Sequence, residues 1–198
     1  MNRIERMQRI VTDASRADAY RRLEAQIANG AEGPLTDDEV LSLLISLKRE
    51  VDIQARTFVW RLLCRSKRKD EVRDFALASL AKKSDNHRGL ALLYLRLHYP
   101  ELMPVLAQRY QNDVDPEVVY ELTEYVGTSN PERAVDMKIE LLPCESHELS
   151  DALEIEISQL GNRRHLNELR RRDQAAGGKT IFGRIANLLA ERLSDASR

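Results

Sequence analysis

The sequence predicts an all-α protein made of helical hairpins, and three observations support this prediction. Leu, Ala, Arg and Glu are the most frequent residues, and all four are strong helix formers. Apolar residues recur at three- and four-residue spacing along most of the chain. Most Gly and Pro residues fall between these periodic runs. With 42% apolar residues in 198, the chain has enough core-forming side chains to fold without disulfides or metals.

Residues 1–35 are predicted to form an N-terminal helical cap. Helical spacing of apolar residues extends from Ile4 to Ala14. Ser15 is then expected to cap a second helix, which Gly30 ends.

The next helix begins at a capping box. Thr36 is expected to accept a hydrogen bond from a backbone N–H, while the Glu39 side chain reaches back to the cap. From there to residue 198 we predict a single array of helices separated by short breaks. The helices lie near 37–50, 53–66, 69–82, 86–98, 101–111, 116–126, 131–142, 148–160, 163–175 and 179–194.

The breaks recur at a regular distance. Asp52, Asp85 and Asp115 each precede the second helix of a predicted hairpin, at separations of 33 and 30 residues. Gly127 and Gly161 end comparable helices 34 residues apart. This spacing is typical of two-helix repeats, which bury their apolar stripes by stacking on one another.

Several junctions carry a family resemblance: a capped start at 115–119, a Gly turn at 126–127, a second capped start at 130–134 and a similar junction at 160–166. In this order they resemble HEAT repeats, and Asp52 with Arg56 resembles the Asp and Arg positions of that repeat. The resemblance implies a short right-handed solenoid over about four and a half hairpins. A compact multi-helix bundle of the same hairpins is the alternative.

One stretch, 153–157, alternates between apolar and acidic residues as a strand does. A lone strand between helices has no partner for its backbone hydrogen bonds. We therefore predict a helix here as well.

The net charge of the chain is −1, but basic and acidic residues are concentrated in separate blocks along it. Residues 48–109 contain 14 Lys and Arg against 7 Asp and Glu, whereas residues 110–160 contain 2 against 13. Fields of a single sign raise the local concentration of partners of opposite charge. The acidic block therefore predicts a docking surface for a basic partner.

The helical pattern indicates which carboxylates this surface presents. In helix 116–126 the valines and Leu122 form the expected buried stripe, which leaves three glutamates on the opposite face. In helix 148–160 two further carboxylates are expected to project outward. The predicted partner-binding residues are Glu117, Glu121, Glu124, Asp151 and Glu154.

The basic block contains a second candidate site. Arg61, Arg65 and Arg68 fall at i, i+4 and i+7, as an anion or phosphate patch would require. The alternative is that they complement the C-terminal end of a helix dipole. An isoelectric point of about 6.5 and only one tryptophan, Trp60, among these arginines argue against nucleic-acid binding.

The sequence contains no motif for catalysis, a metal or a cofactor, so we expect a protein that is not an enzyme and needs neither. None of the four His residues has a second His or Cys three or four positions away on the same helix face. The two Cys residues lie 80 positions apart. Residues 178–180 read Gly-Lys-Thr as a phosphate loop does, but Asp173 stands where that loop requires Gly.

Two functional hypotheses follow. In the first, the protein is a non-catalytic binding module for a basic protein, for example an immunity-type inhibitor of a cationic nuclease toxin. Self-association of the acidic block with the basic block of a second copy is another form. In the second, it is a nucleic-acid-binding protein similar to the HEAT-like glycosylases that remove alkylated bases, using residues 48–109.

No apolar run is long enough to span a membrane, so we expect a cytoplasmic protein without a membrane partner.

Overall fold

A computed structural model describes residues 2–9, 13–50, 52–67, 69–144 and 146–196. All regular secondary structure in these ranges is helical, which confirms the all-α prediction. The helices are α1 Arg3–Gln8, α2 Asp13–Ala28, α3 Asp37–Arg49, α4 Ile53–Cys64, α5 Asp70–Ala81, α6 Arg88–His98, α7 Met103–Tyr110, α8 Pro116–Gly127, α9 Pro131–Glu140, α10 His147–Leu160, α11 Arg163–Ala175 and α12 Ile181–Asp195, with a 3-10 turn at Pro100–Leu102.

The predicted and observed helices agree closely from residue 37 onward. The predicted helix 163–175 coincides with α11, and the alternating stretch 153–157 lies within α10. The N-terminal prediction differs, because α2 begins at Asp13 and Ser15 therefore lies inside the helix instead of capping it. Ser15 is exposed, so its hydroxyl is accessible to water and does not compete for the backbone hydrogen bonds of the helix.

The chain divides into two compact units, 1–109 and 110–198. In the first unit, α4 packs against both α2 and α6. His87 contacts Ile53 at the start of α4, and His98 contacts Cys64 at its end, so α4 and α6 run parallel. Successive hairpins of this unit therefore stack through alternate helices.

Aromatic rings fill the centre of the first unit. Trp60 is fully buried, and its ring centroid lies 5.9 Å from that of Phe75 and 6.5 Å from that of Tyr94. Burial of such large rings is a main contribution to a core of this size.

In the second unit, α8 packs against α9 and α11 against α12, while α10 packs against α12. Glu154 of α10 pairs with Arg184 of α12, and Gly161 just after α10 approaches Leu189 further along α12. Alternate helices are therefore parallel here too. Their contact surfaces form one apolar cluster, which consists of Val135, Ile139, Leu142, Leu149, Leu153, Ile157, Leu169, Ile185, Ala186 and Leu189.

None of the described helices combines the length and apolar character that crossing a membrane requires.

Candidate functional site

A buried ion cluster lies where α8, α9 and α10 meet. Lys138 of α9 is 3% exposed, and its Nζ lies 2.6 Å from Glu124 Oε1 and 2.7 Å from Glu156 Oε2. The same ammonium lies 5.8 Å from the centre of the Tyr120 ring, and the Tyr120 hydroxyl donates to Glu156 Oε1 at 2.7 Å. Burial by itself lowers the pKa of Lys138, but the hydrogen bonds to the two glutamates raise it above its ordinary value overall. The cluster therefore stays charged and joins three helices.

This cluster changes the surface that the sequence predicts. Glu124 forms an ion pair with Lys138, and Glu154 forms one with Arg184. Glu121 is only 8% exposed, so the expectation that it faces solvent with Glu117 is wrong. The physical reason is that Glu121 lies three residues after Val118 and next to Leu122, and it shares the buried face of α8 with them.

Carboxylates still remain at the surface of α8 and α10. Glu117 in the first turn of α8 is exposed, as are Glu148 and Asp151 in the first turns of α10. Neither Glu148 nor Asp151 has a cationic partner among the described residues. Two of the five predicted partner-binding residues, Glu117 and Asp151, are therefore exposed on helices that Lys138 ties together.

Only part of the predicted basic patch forms an exposed cationic surface. Arg61 is exposed and lies over the Phe58 ring at 5.5 Å, whereas Arg65 forms an ion pair with Glu24 of α2. Arg68 lies outside the described residues. Trp60 is buried in the core and offers no face on which a base could stack.

The Gly-Lys-Thr segment is a helix cap. The Asp173 carboxylate accepts hydrogen bonds from the Thr180 backbone N–H at 2.9 Å and from its hydroxyl at 2.7 Å. Gly177, Gly178 and Lys179 all have positive φ and wrap this carboxylate. The hydrogen bonds from Thr180 lower the pKa of Asp173 below its ordinary value. An anion from the chain itself thus occupies the place at the start of α12 where a bound phosphate would lie.

The two buried histidines have structural roles. The His87 ring lies 3.1 Å from the Ile53 carbonyl, and burial lowers its pKa. His165 Nδ1 accepts from the Asn162 backbone N–H in a capping box, and burial, followed by the charge of Arg164, lowers its pKa as well. Among the described residues, no group of three or more His, Cys, Asp or Glu could hold a metal ion.

A groove between α9 and α11 has a strongly charged lining, and we call it the arginine groove. It encloses about 430 Å³. Its charged lining consists of Arg133, Asp136 and Glu140 from α9 and Arg164, Glu168, Arg171 and Arg172 from α11.

The carboxylates of the arginine groove hold some of its guanidinium groups in place. Glu168 accepts two hydrogen bonds from Arg171, at 2.7 and 2.8 Å, and one from Arg172 at 2.7 Å. These hydrogen bonds lower the pKa of Glu168 to about 2. Asp136 pairs with Arg164 at 2.8 Å. The sequence pattern did not identify this groove, although the adjacent arginines 170–172 were its visible signal.

Comparison with known proteins gives no match among family models, curated proteins or solved structures. A function for this chain is therefore argued from the geometry and electrostatics of its own surfaces.

Proposed function

We propose that the protein is a non-catalytic binding module that presents the acidic surface of its second unit to a basic protein partner. One observation carries this proposal. Residues 110–160 contain 13 acidic and two basic side chains, and one of those two cations, Lys138, is buried within the unit. The exposed part of the segment is therefore dominated by carboxylates.

The charge is held on a packed scaffold. Glu117 lies on α8 and Asp151 on α10, and these helices contact the same lysine through Glu124 and Glu156. Because these helices are anchored, their backbone loses little conformational freedom on binding. A negative surface of this kind accelerates encounter with a cationic protein and selects against acidic partners.

The parallel packing of alternate helices supports a HEAT-like arrangement of the hairpins, in which extended faces serve for binding. Within this class we propose an immunity-type role, in which the partner is a cationic nuclease toxin. The surface of such a nuclease is built to hold phosphates and therefore complements carboxylates.

The test is affinity capture from the source cell after nuclease digestion, with wild type and with a triple variant, Glu117→Gln, Glu148→Gln and Asp151→Asn. The matched control, Glu71→Gln, Glu191→Gln and Asp195→Asn, removes the same charge from other exposed positions. We expect wild type and control to retain the same basic protein, and the triple variant to lose it. Equal retention by all three proteins contradicts the proposal, as does retention of nucleic acid that depends on Arg61 in a parallel capture without nuclease digestion.

A further inference from the structure

We propose that the arginine groove binds a small phosphate-bearing anion. Four guanidinium groups and three carboxylates line this hollow between α9 and α11, so its charged lining carries a net positive charge. Its volume of about 430 Å³ lies within the range of small-molecule sites. This site is separate from the acidic surface of the proposed function and does not depend on it.

Hydrogen bonds within the chain hold two arginines of the groove. Arg171, whose side chain is 72% exposed, makes two hydrogen bonds to Glu168, and Arg172, which is 31% exposed, is held both by Glu168 and by the backbone carbonyl of Ile139. A side chain that is already held at two points loses less entropy when a ligand binds than a free side chain does. The carboxylate therefore acts as a positioning group for the guanidinium groups beside it.

Two further arginines supply donors that the chain does not use. Arg133 has a side chain that is 53% exposed, and its nearest carboxylate among the described residues is Glu140, at 3.8 Å. Arg164 is 55% exposed and pairs with Asp136 through one of its terminal nitrogens. Both residues line the groove, and among the described residues their remaining N–H groups have no hydrogen-bond or ion-pair partner.

These donors define the chemical class of the ligand. A guanidinium group presents its N–H donors in a planar fork that matches the oxygens of phosphate. A phosphate has three or four oxygens arranged in a tetrahedron, so it accepts from arginines of both helices at once, which a single planar carboxylate does less well.

Titration calorimetry tests this inference with inorganic pyrophosphate as the probe. Citrate serves as the carboxylate probe, and sodium chloride of equal ionic strength is the control. We expect saturable binding of pyrophosphate that is at least 10-fold tighter than that of citrate, because tetrahedral phosphate groups present oxygens to arginines of both helices. The double variant Arg133→Gln, Arg164→Gln is expected to bind at least 10-fold more weakly.

The matched control is Arg163→Gln, Arg170→Gln, which removes two exposed charges from α11 outside the groove. It is expected to bind as wild type does, and circular dichroism verifies that both variants are folded. The inference is overturned if pyrophosphate gives no saturable binding, if citrate binds equally well, or if the control loses as much affinity as the groove variant.

Discussion

Lys138 Nζ and Glu124 Oε1 form an ion pair at 2.6 Å, and the lysine side chain is almost completely buried. Replacing Lys138 by Met leaves Glu124 and Glu156 facing each other without a cation. We expect a loss of about 1 to 3 kcal/mol in the free energy of unfolding, because the two partly buried carboxylates lose the cation that compensates them. Urea unfolding followed by circular dichroism measures this loss.

The control for this prediction is Arg133→Met, which removes an exposed cation of the same helix and is expected to change stability by less than about 0.5 kcal/mol. Equal stability of the two variants at pH 7 would show that the cluster is not a structural anchor.

Acid sensitivity of the first unit is expected to depend on Glu39. Arg3 donates to both oxygens of this buried carboxylate, at 2.7 and 2.8 Å, and lowers its pKa to about 2. The folded-state pKa is below the ordinary value, so the stabilisation is present above about pH 4.5 and is lost as the pH falls toward 2.

We expect the free energy of unfolding to fall by about 2 to 3 kcal/mol across this interval from the Glu39 contribution. Glu39→Gln keeps a side chain that can complete the capping box with Thr36, but it has no carboxylate to titrate. Its stability is therefore expected to change less between pH 4.5 and 2. Trp60 fluorescence during urea unfolding reports on the same unit, and parallel pH profiles for the two proteins would refute the assignment.

Gly161 is required where α10 meets α12. A Cβ atom at this position would lie 2.7 Å from the Ile157 carbonyl oxygen and 2.8 Å from Leu189 Cδ2. We expect Gly161→Ala to lower the midpoint of thermal unfolding and to cost about 1 to 3 kcal/mol, because α12 must move outward. Gly33→Ala, whose Cβ meets nothing within 4 Å, is the control and is expected to leave the midpoint nearly unchanged.

Lys179 is a non-glycine residue in the left-handed region, at φ of 60°. This conformation costs an L-residue roughly 1 to 2 kcal/mol. Glycine avoids this cost, but it loses more backbone entropy on folding, so only part of the energy is gained. Lys179→Gly is therefore expected to stabilise the protein by about 0.5 to 1 kcal/mol in urea unfolding. Lys179→Ala keeps the strain and is expected to bring no gain; a gain of the same size would assign the effect to the lysine side chain instead.

Features that are local in sequence were predictable. The capping box of Thr36 and Glu39 is confirmed by both reciprocal hydrogen bonds, and the helix predicted at 116–126 is observed as α8. These features depend on residues three or four apart, whose spacing is read directly from the chain.

Features that depend on distant partners were not predictable. The predicted exposure of Glu121 was wrong because Glu121 lies with Val118 and Leu122 on the buried face of α8, and the width of that face depends on what packs against the helix. Likewise, the ion pair of Glu39 with Arg3 joins residues 36 positions apart. A helical pattern shows which residues share a face but not what lies opposite that face.

The central claim is that carboxylates of α8 and α10 form a binding surface for a basic protein. Its most direct test is the dissociation constant of the captured partner, measured by calorimetry for wild type, for Glu148→Lys with Asp151→Lys, and for the matched reversal Glu191→Lys with Asp195→Lys. Reversal on α10 is expected to weaken binding at least 100-fold, since close charge pairs at such interfaces contribute several kcal/mol, while reversal on α12 leaves it within about threefold. Equal affinities for the two reversed proteins would contradict the claim.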